Sequence, residues 1–134
     1  MRREFVIDGS KFNDLEGFYH EIQSVITKDL PWEISNLDGF NDILRGGFGV
    51  HEYGEPIKFK WVNFKISKKC LGYEATIKHY ERVLKFCHPT NIDRIKLLLE
   101  NAKRHSGQTL LDIIVEIVLD TDNSGHDCQL VIED

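Results

Sequence analysis

The sequence predicts an α/β fold, in which a three-stranded parallel sheet packs against helices. Three short apolar runs, at residues 4–8, 57–62 and 127–132, have the length and the aromatic and β-branched content of strands. Between these runs, apolar residues recur every three or four positions, which is the spacing of helices that bury one face. Because helices separate each strand from the next, and strands joined through such crossovers run parallel, we expect a parallel sheet.

The first half of the chain contains two predicted helices. The first covers about residues 15–27, and Asn13 and Glu16 have the spacing of a capping box at its start. Pro31 then breaks the chain, and a shorter helix is predicted over 36–46. The apolar stripe of this short helix consists of Leu37, Phe40, Ile43 and Leu44.

The second half of the chain is predicted to be mainly helical up to the last strand. Its helices are expected over about 64–71, from near Ile77 to 87, over 92–104 and over 109–119. The chain contains no internal repeat, linker or low-complexity tract. With 134 residues, it is long enough for one real hydrophobic core, so we expect residues 1–134 to form a single domain.

Charge divides the chain into acidic, basic and acidic segments. Residues 1–56 hold 5 Lys/Arg and 11 Asp/Glu, a net charge of −6. Residues 57–105 hold 12 Lys/Arg and 4 Asp/Glu, a net charge of +8, and residues 106–134 hold no Lys/Arg and 7 Asp/Glu, a net charge of −7. If the two acidic segments adjoin in space, one end of the molecule carries a concentrated negative field. Such a field attracts a basic protein or a metal ion and repels nucleic acid.

Composition also indicates the compartment. The N-terminal residues MRREFVIDG lack the apolar segment of a secretory signal, and the sequence has no run of about 18 apolar residues that would predict a membrane span. Cys70, Cys87 and Cys128 are odd in number and widely spaced, which matches neither a disulfide framework nor a metal motif. We therefore expect a cytoplasmic protein that needs no cofactor.

The segment NLDGFNDILRGGFG, residues 36–49, is the main functional candidate. Asp38 and Asp42 lie one helical turn apart on the face that the apolar stripe avoids, where like charges repel by a few tenths of a kcal/mol. The helix dipole explains Asp38 in the first turn but explains Asp42 poorly. The two acids are therefore either ordinary solvated charges or a paired surface for a cationic partner, with Trp32 and Phe48 as flanking apolar contacts.

Two other classes of function fit less well. Paired carboxylates serve in glycoside hydrolysis and metal binding, but such sites need acids across a cleft or a third ligand. His51 and Glu52 would contribute only if their loop folds back, and the histidines share no ligand spacing. The basic segment 57–105 could bind RNA, although a solvated face explains its interleaved lysines and acids more simply.

The segment NLDGFNDILRG closely resembles the helix motif of the barstar family, the intracellular inhibitors of the ribonuclease barnase, whose pattern is roughly NLDALWDCLTG. The flanking sequences FVIDG, PIKFKW and DCQLVIED also resemble elements of that family. The resemblance covers about residues 3–69 and 106–133. It implies that 70–105 is a helical insertion. Such an insertion could brace the exposed face of the sheet, set specificity or mediate self-association.

The resemblance implies roles for particular residues. Asp38 and Asp42 match the two helix acids that enter the ribonuclease active site, with Asp42 at the phosphate position. The other matched positions are Trp32, an aromatic contact before the helix; Asn36 and Gly46, at the helix ends; and Glu116, a glutamate on the last helix that contacts the enzyme. This chain departs from the pattern at Asn41, where the family has tryptophan, and at Phe48, where it has an aliphatic residue.

We therefore expect an inhibitor of a basic microbial ribonuclease, either a secreted enzyme or a toxin, and not an enzyme in its own right. The helix 36–46 and the loop 47–50 would block the active site by mimicking RNA phosphates. The partner would be a protein, without direct contact to nucleic acid or a membrane. The alternatives are an RNA-binding module that uses 57–105 or, less favoured, a carboxylate-dependent hydrolase.

Overall fold

The computed structural model describes residues 2–28, 30–120 and 125–134. In this part of the chain, three strands form one sheet: β1 (Arg3–Asp8), β2 (Ile57–Val62) and β3 (Cys128–Ile132). They lie in the order β1-β2-β3, and both neighbouring pairs are parallel. The predicted α/β class and the parallel three-stranded sheet are therefore confirmed.

The described part of the chain also contains six α-helices. They are α1 (Leu15–Ile26), α2 (Leu37–Ile43), α3 (Phe64–Cys70), α4 (Tyr73–Phe86), α5 (Ile92–Lys103) and α6 (Leu110–Leu119). No helix among the described residues is long and apolar enough to cross a membrane.

The capping box predicted for α1 was wrong. Asp14, not Asn13, precedes the helix in an extended conformation, and its carboxylate accepts a hydrogen bond of 2.7 Å from the Gly17 N–H. A capping box is instead present at the start of α6. There the Thr109 hydroxyl accepts from the Asp112 N–H, and the Asp112 carboxylate accepts from the Thr109 N–H. The box satisfies two N–H groups that the helix start would otherwise leave unpaired.

Helix α2 is shorter than predicted, because it ends at Ile43 and not at residue 46. Gly46 follows with φ of +90°, a conformation that a residue with a side chain rarely adopts. Gly46 is also buried, and a Cβ there would overlap the carbonyl oxygen of Glu52. Glycine is therefore required at the point where the chain leaves α2, both for its backbone conformation and for the close approach of the next loop.

The main hydrophobic core lies between one face of the sheet and the helices. Side chains of β2 alternate in burial, with Ile57, Phe59 and Trp61 fully buried. The Trp61 ring stacks on Phe18 of α1 with centroids 5.5 Å apart, and its Nε1–H donates to the Ser67 hydroxyl at 3.0 Å. The strand alternation therefore fixes which face of the sheet receives the helices.

The other face of the sheet is exposed. Lys58 pairs with Glu4 and Lys60 with Glu133 across it, while Val6 remains 45% exposed. A parallel sheet is usually covered on both faces, so this open face is unusual. The suggestion that the segment 70–105 braces this face was wrong, because its helices α4 and α5 pack on each other, and α4 contacts α6.

Segment 70–105 contains the helix pair α4–α5, which has a hydrophobic cluster of its own. Tyr80, Ile95 and Leu99 form the centre of this cluster. The pair joins the rest of the fold at the start of α4, where the buried Thr76 hydroxyl accepts a hydrogen bond of 2.8 Å from the Leu110 N–H of α6. The predicted helical character of this segment is confirmed.

Candidate functional site

The position of α2 is set by a polar N-cap and an apolar face. The Asn36 side chain accepts a hydrogen bond of 2.7 Å from the Gly39 N–H, which satisfies one of the unpaired groups at the helix start. Phe40 and Ile43 are completely buried in the main core. Burial of this face turns Asp38 and Asp42 towards solvent, and both are exposed. Four residues at a rise of 1.5 Å separate their positions by about 6 Å along the helix.

Among the described residues, the charge of Asp42 is only weakly compensated. Arg45 Nη1 lies 3.7 Å from Asp42 Oδ1, and the Asp42 side chain is 57% exposed. An exposed ion pair at such a distance contributes about 0–1 kcal/mol, because water screens it and two side chains must be ordered. The Asp42 carboxylate therefore remains accessible to a stronger cationic partner.

The charge of Asp38 acts on a buried tyrosine, Tyr19. The Tyr19 hydroxyl is buried and has no hydrogen-bond partner in the described part of the structure. Burial raises the pKa of Tyr19, the Asp38 charge adds to this rise, and Arg82 of α4 opposes it. The three groups are therefore close enough to interact electrostatically.

Trp32 and Phe48 form an aromatic pair beside the two acids. Their rings meet edge to face with centroids 6.3 Å apart. The Trp32 ring also lies over α2, since a Cβ on Gly39 would be 3.5 Å from Trp32 Cζ3. Trp32 is 42% exposed and Phe48 is half-buried against the core. The pair therefore presents apolar surface against α2 at Gly39, the residue that follows Asp38.

Gln23 of α1 holds the segment that carries Trp32. Its Nε2 donates to the Trp32 carbonyl oxygen at 3.3 Å, and its Oε1 accepts from the Ile34 N–H at 3.0 Å. This role could not be predicted from the sequence, because Gln23 falls between the apolar positions of an amphipathic helix. These two bonds fix the path of the chain between α1 and α2.

The glycine-rich loop after α2 is held by main-chain hydrogen bonds. The Phe48 carbonyl accepts from the Lys28 N–H at 2.7 Å, and the Arg45 carbonyl accepts from the Gly54 N–H at 2.6 Å. His51 does fold back, but as a buried residue whose Nε2 lies 3.2 Å from the Leu44 carbonyl oxygen. It therefore supports the backbone at the end of α2.

Asn41 and Glu116 have partners within the protein. Asn41 is half-buried, and its Oδ1 lies 3.1 Å from Nε2 of His126, a contact that the sequence did not predict. Glu116 is exposed and accepts a hydrogen bond from the Gln108 side chain. Asn36 and the two acids thus share α2, Trp32 packs against this helix and Phe48 packs against Trp32. The described residues show no contact between Glu116 and α2.

No group of three or more His, Cys, Asp or Glu side chains within residues 2–28, 30–120 and 125–134 is arranged to hold a metal ion.

Comparison of the chain with protein-family models, with curated proteins and with solved structures found no match. The site is therefore interpreted from its own chemistry: two outward carboxylates, an adjoining aromatic pair and a fixed loop.

Proposed function

We propose that this protein inhibits a microbial ribonuclease, barnase-like or a ribonuclease toxin, by inserting α2 and the adjoining loop into the active site. The observation that carries the proposal is the outward placement of Asp38 and Asp42 beside the Trp32–Phe48 pair. The resemblance of NLDGFNDILRG to the barstar helix motif supports the same conclusion. Such an inhibitor protects the RNA of the producing or a neighbouring cell.

The two carboxylates act as substitutes for RNA phosphates. A ribonuclease cleft is lined with cationic side chains that bind successive phosphates, and carboxylates about 6 Å apart along a helix present similar negative charge. Charge-assisted hydrogen bonds to arginine or lysine are short and strong. The long Arg45–Asp42 pair, at 3.7 Å, is easily replaced by such a bond.

The aromatic pair and the fixed loop favour tight binding. Trp32 and Phe48 supply the buried aromatic surface that typically dominates an interface. Main-chain bonds at Phe48 and Arg45 already order the loop in the free protein, so little conformational entropy is lost on association. An interface of roughly 800 Å² per partner would be ordinary for such a complex.

The acidic segments accelerate the encounter. Residues 1–56 and 106–134 carry net charges of −6 and −7. The charges of Asp120 and Asp127 both act on His126, whose ring lies 3.1 Å from Asn41 of α2. A negative field of this kind attracts a basic ribonuclease and raises the association rate. Added salt should therefore mainly slow association.

The test is inhibition of RNA cleavage by a guanyl-specific ribonuclease such as barnase, and by any ribonuclease encoded beside this chain's gene. An equal concentration of the protein should abolish cleavage by the cognate enzyme. The variant Asp42→Ala should lose inhibition, whereas Glu81→Ala, which removes an equal charge from an exposed position on α4, should retain it. Full cleavage in the presence of wild-type protein, with every enzyme tested, would contradict the proposal.

RNA binding remains the second candidate because α3 exposes a cluster of cations. Lys65, Lys68 and Lys69 are all exposed, and Phe86 at the end of α4 is 81% exposed. Filter binding to RNA with a steep salt dependence would favour this function. A carboxylate-dependent hydrolase, the least favoured candidate, requires intrinsic activity that Asp42→Ala abolishes.

A further inference from the structure

A buried histidine links α2 to the segment that enters β3. His126 is only 3% exposed, and its Nε2 lies 3.1 Å from Asn41 Oδ1. Asn41 precedes Asp42 directly and lies on the helix between the two acids. A bond between residues 85 positions apart therefore helps to fix the helix that carries the candidate binding site.

The surroundings of His126 favour a neutral ring. Burial lowers the pKa of His126 below its ordinary value of 6.5, and Arg45 at the end of α2 lowers it further. Asp120 after α6, Asp127 before β3 and the Ile117 carbonyl oppose this effect without cancelling it. The second ring nitrogen, Nδ1, is buried without a well-formed hydrogen bond among the described residues.

We propose that His126 is a pH-sensitive link that holds α2 in place while its imidazole is neutral. A charged imidazole is costly to bury beside Arg45, so protonation favours a state in which the ring moves to solvent and Asn41 loses its partner. Asp38 and Asp42 are then less well positioned, because the end of α2 is no longer held against the segment before β3.

The direction of the effect follows from proton linkage. We call the state with the buried His126 ring closed and the state with the ring in solvent open. The closed state binds a proton less readily, because the pKa of His126 is lowered there, whereas in the open state the pKa is ordinary. Lowering the pH from about 7.5 to about 5.5 crosses that ordinary value, so it should raise the opening equilibrium up to about tenfold. At higher pH the link is fully formed and the opening equilibrium should not change.

Amide hydrogen exchange in the free protein tests this link, with rates corrected for the intrinsic effect of pH. In wild-type protein, exchange of the α2 amides should become up to about tenfold faster, relative to intrinsic rates, between about pH 7.5 and 5.5. His126→Gln, which keeps a hydrogen-bond donor near the Nε2 position but does not titrate, should exchange slowly at both pH values. His126→Ala should exchange rapidly at both.

His20→Gln is the matched control, because His20 is an exposed histidine on α1 and its replacement should leave the wild-type pH dependence intact. The proposal is overturned if His126→Gln keeps the wild-type pH dependence, or if wild-type exchange at α2 does not change with pH. If His126→Ala does not fold, the glutamine variant alone decides. The measurement needs no partner, so its failure would leave the proposed function untouched.

Discussion

Replacement of Gly46 by alanine tests how tightly α2 and the following loop are joined. Gly46 has φ of +90°, and its neighbour Gly47 has φ of +89°, so a Cβ causes similar backbone strain at both positions. At Gly47 the nearest atom to an added Cβ is Tyr53 Cβ at 3.9 Å, an ordinary contact. At Gly46 the added Cβ would overlap the Glu52 carbonyl oxygen and lie 2.8 Å from its carbon.

The two variants should therefore differ in stability. A left-handed backbone conformation costs an alanine about 1–2 kcal/mol, which is the whole effect expected for Gly47→Ala. Gly46→Ala must also displace the Glu52 carbonyl, and since backbone moves less easily than a side-chain end, we expect a total loss of roughly 2–4 kcal/mol.

Urea unfolding followed by circular dichroism measures this difference. Gly46→Ala should lower the midpoint about twice as far as Gly47→Ala, with little change in the slope. Equal midpoints for the two variants would refute the reasoning, because the close approach of Glu52 to Gly46 would then contribute nothing to stability.

Three further predictions concern stability. Phe40→Ala should lower the free energy of unfolding in urea by about 3–5 kcal/mol. Phe40 is fully buried, and its ring packs edge to face on Phe18 with centroids 5.2 Å apart. A loss below about 1 kcal/mol would contradict this packing. Thr109→Ala should cost about 1 kcal/mol, because it removes half of the α6 capping box, and an unchanged midpoint would contradict it. Hydrogen bonds, chiefly from the Ser10 side chain, lower the pKa of Asp8 below its ordinary value of 3.8. The ionised Asp8 carboxylate therefore stabilises the fold above about pH 4, and this contribution is lost as the pH falls through the lowered pKa. Asp8→Asn should therefore lose less stability than wild type on acidification, and an identical acid dependence would be the contrary result.

Periodicity predicted most of the secondary structure. Strand β2 occurs at the predicted residues, 57–62, because its alternating apolar side chains are buried on one face. The outward placement of Asp38 and Asp42 also follows from local pattern, since burial of Phe40 and Ile43 leaves the acids no other side. Patterns of this kind depend only on neighbours along the chain, and such neighbours are visible in a sequence.

Contacts between distant segments could not be predicted in this way. The His126–Asn41 bond joins residues 85 positions apart, and the two bonds of Gln23 depend on how the chain returns after α1. The open face of the sheet was equally hidden, because its alternating lysines and valines match either a solvated face or a half-covered one. These features depend on the relative positions of whole elements, which the local patterns of a single sequence do not reveal.

The proposed function is tested most directly by the affinity of the protein for its ribonuclease, measured for wild type and for Asp42→Ala under identical salt conditions. Removal of one partner from a buried, hydrogen-bonded charge pair typically costs about 2–5 kcal/mol, so Asp42→Ala should raise Kd by at least roughly 30-fold. The Glu81→Ala control should bind like wild type. Equal affinity of Asp42→Ala and wild type would show that the acidic helix does not occupy the active site.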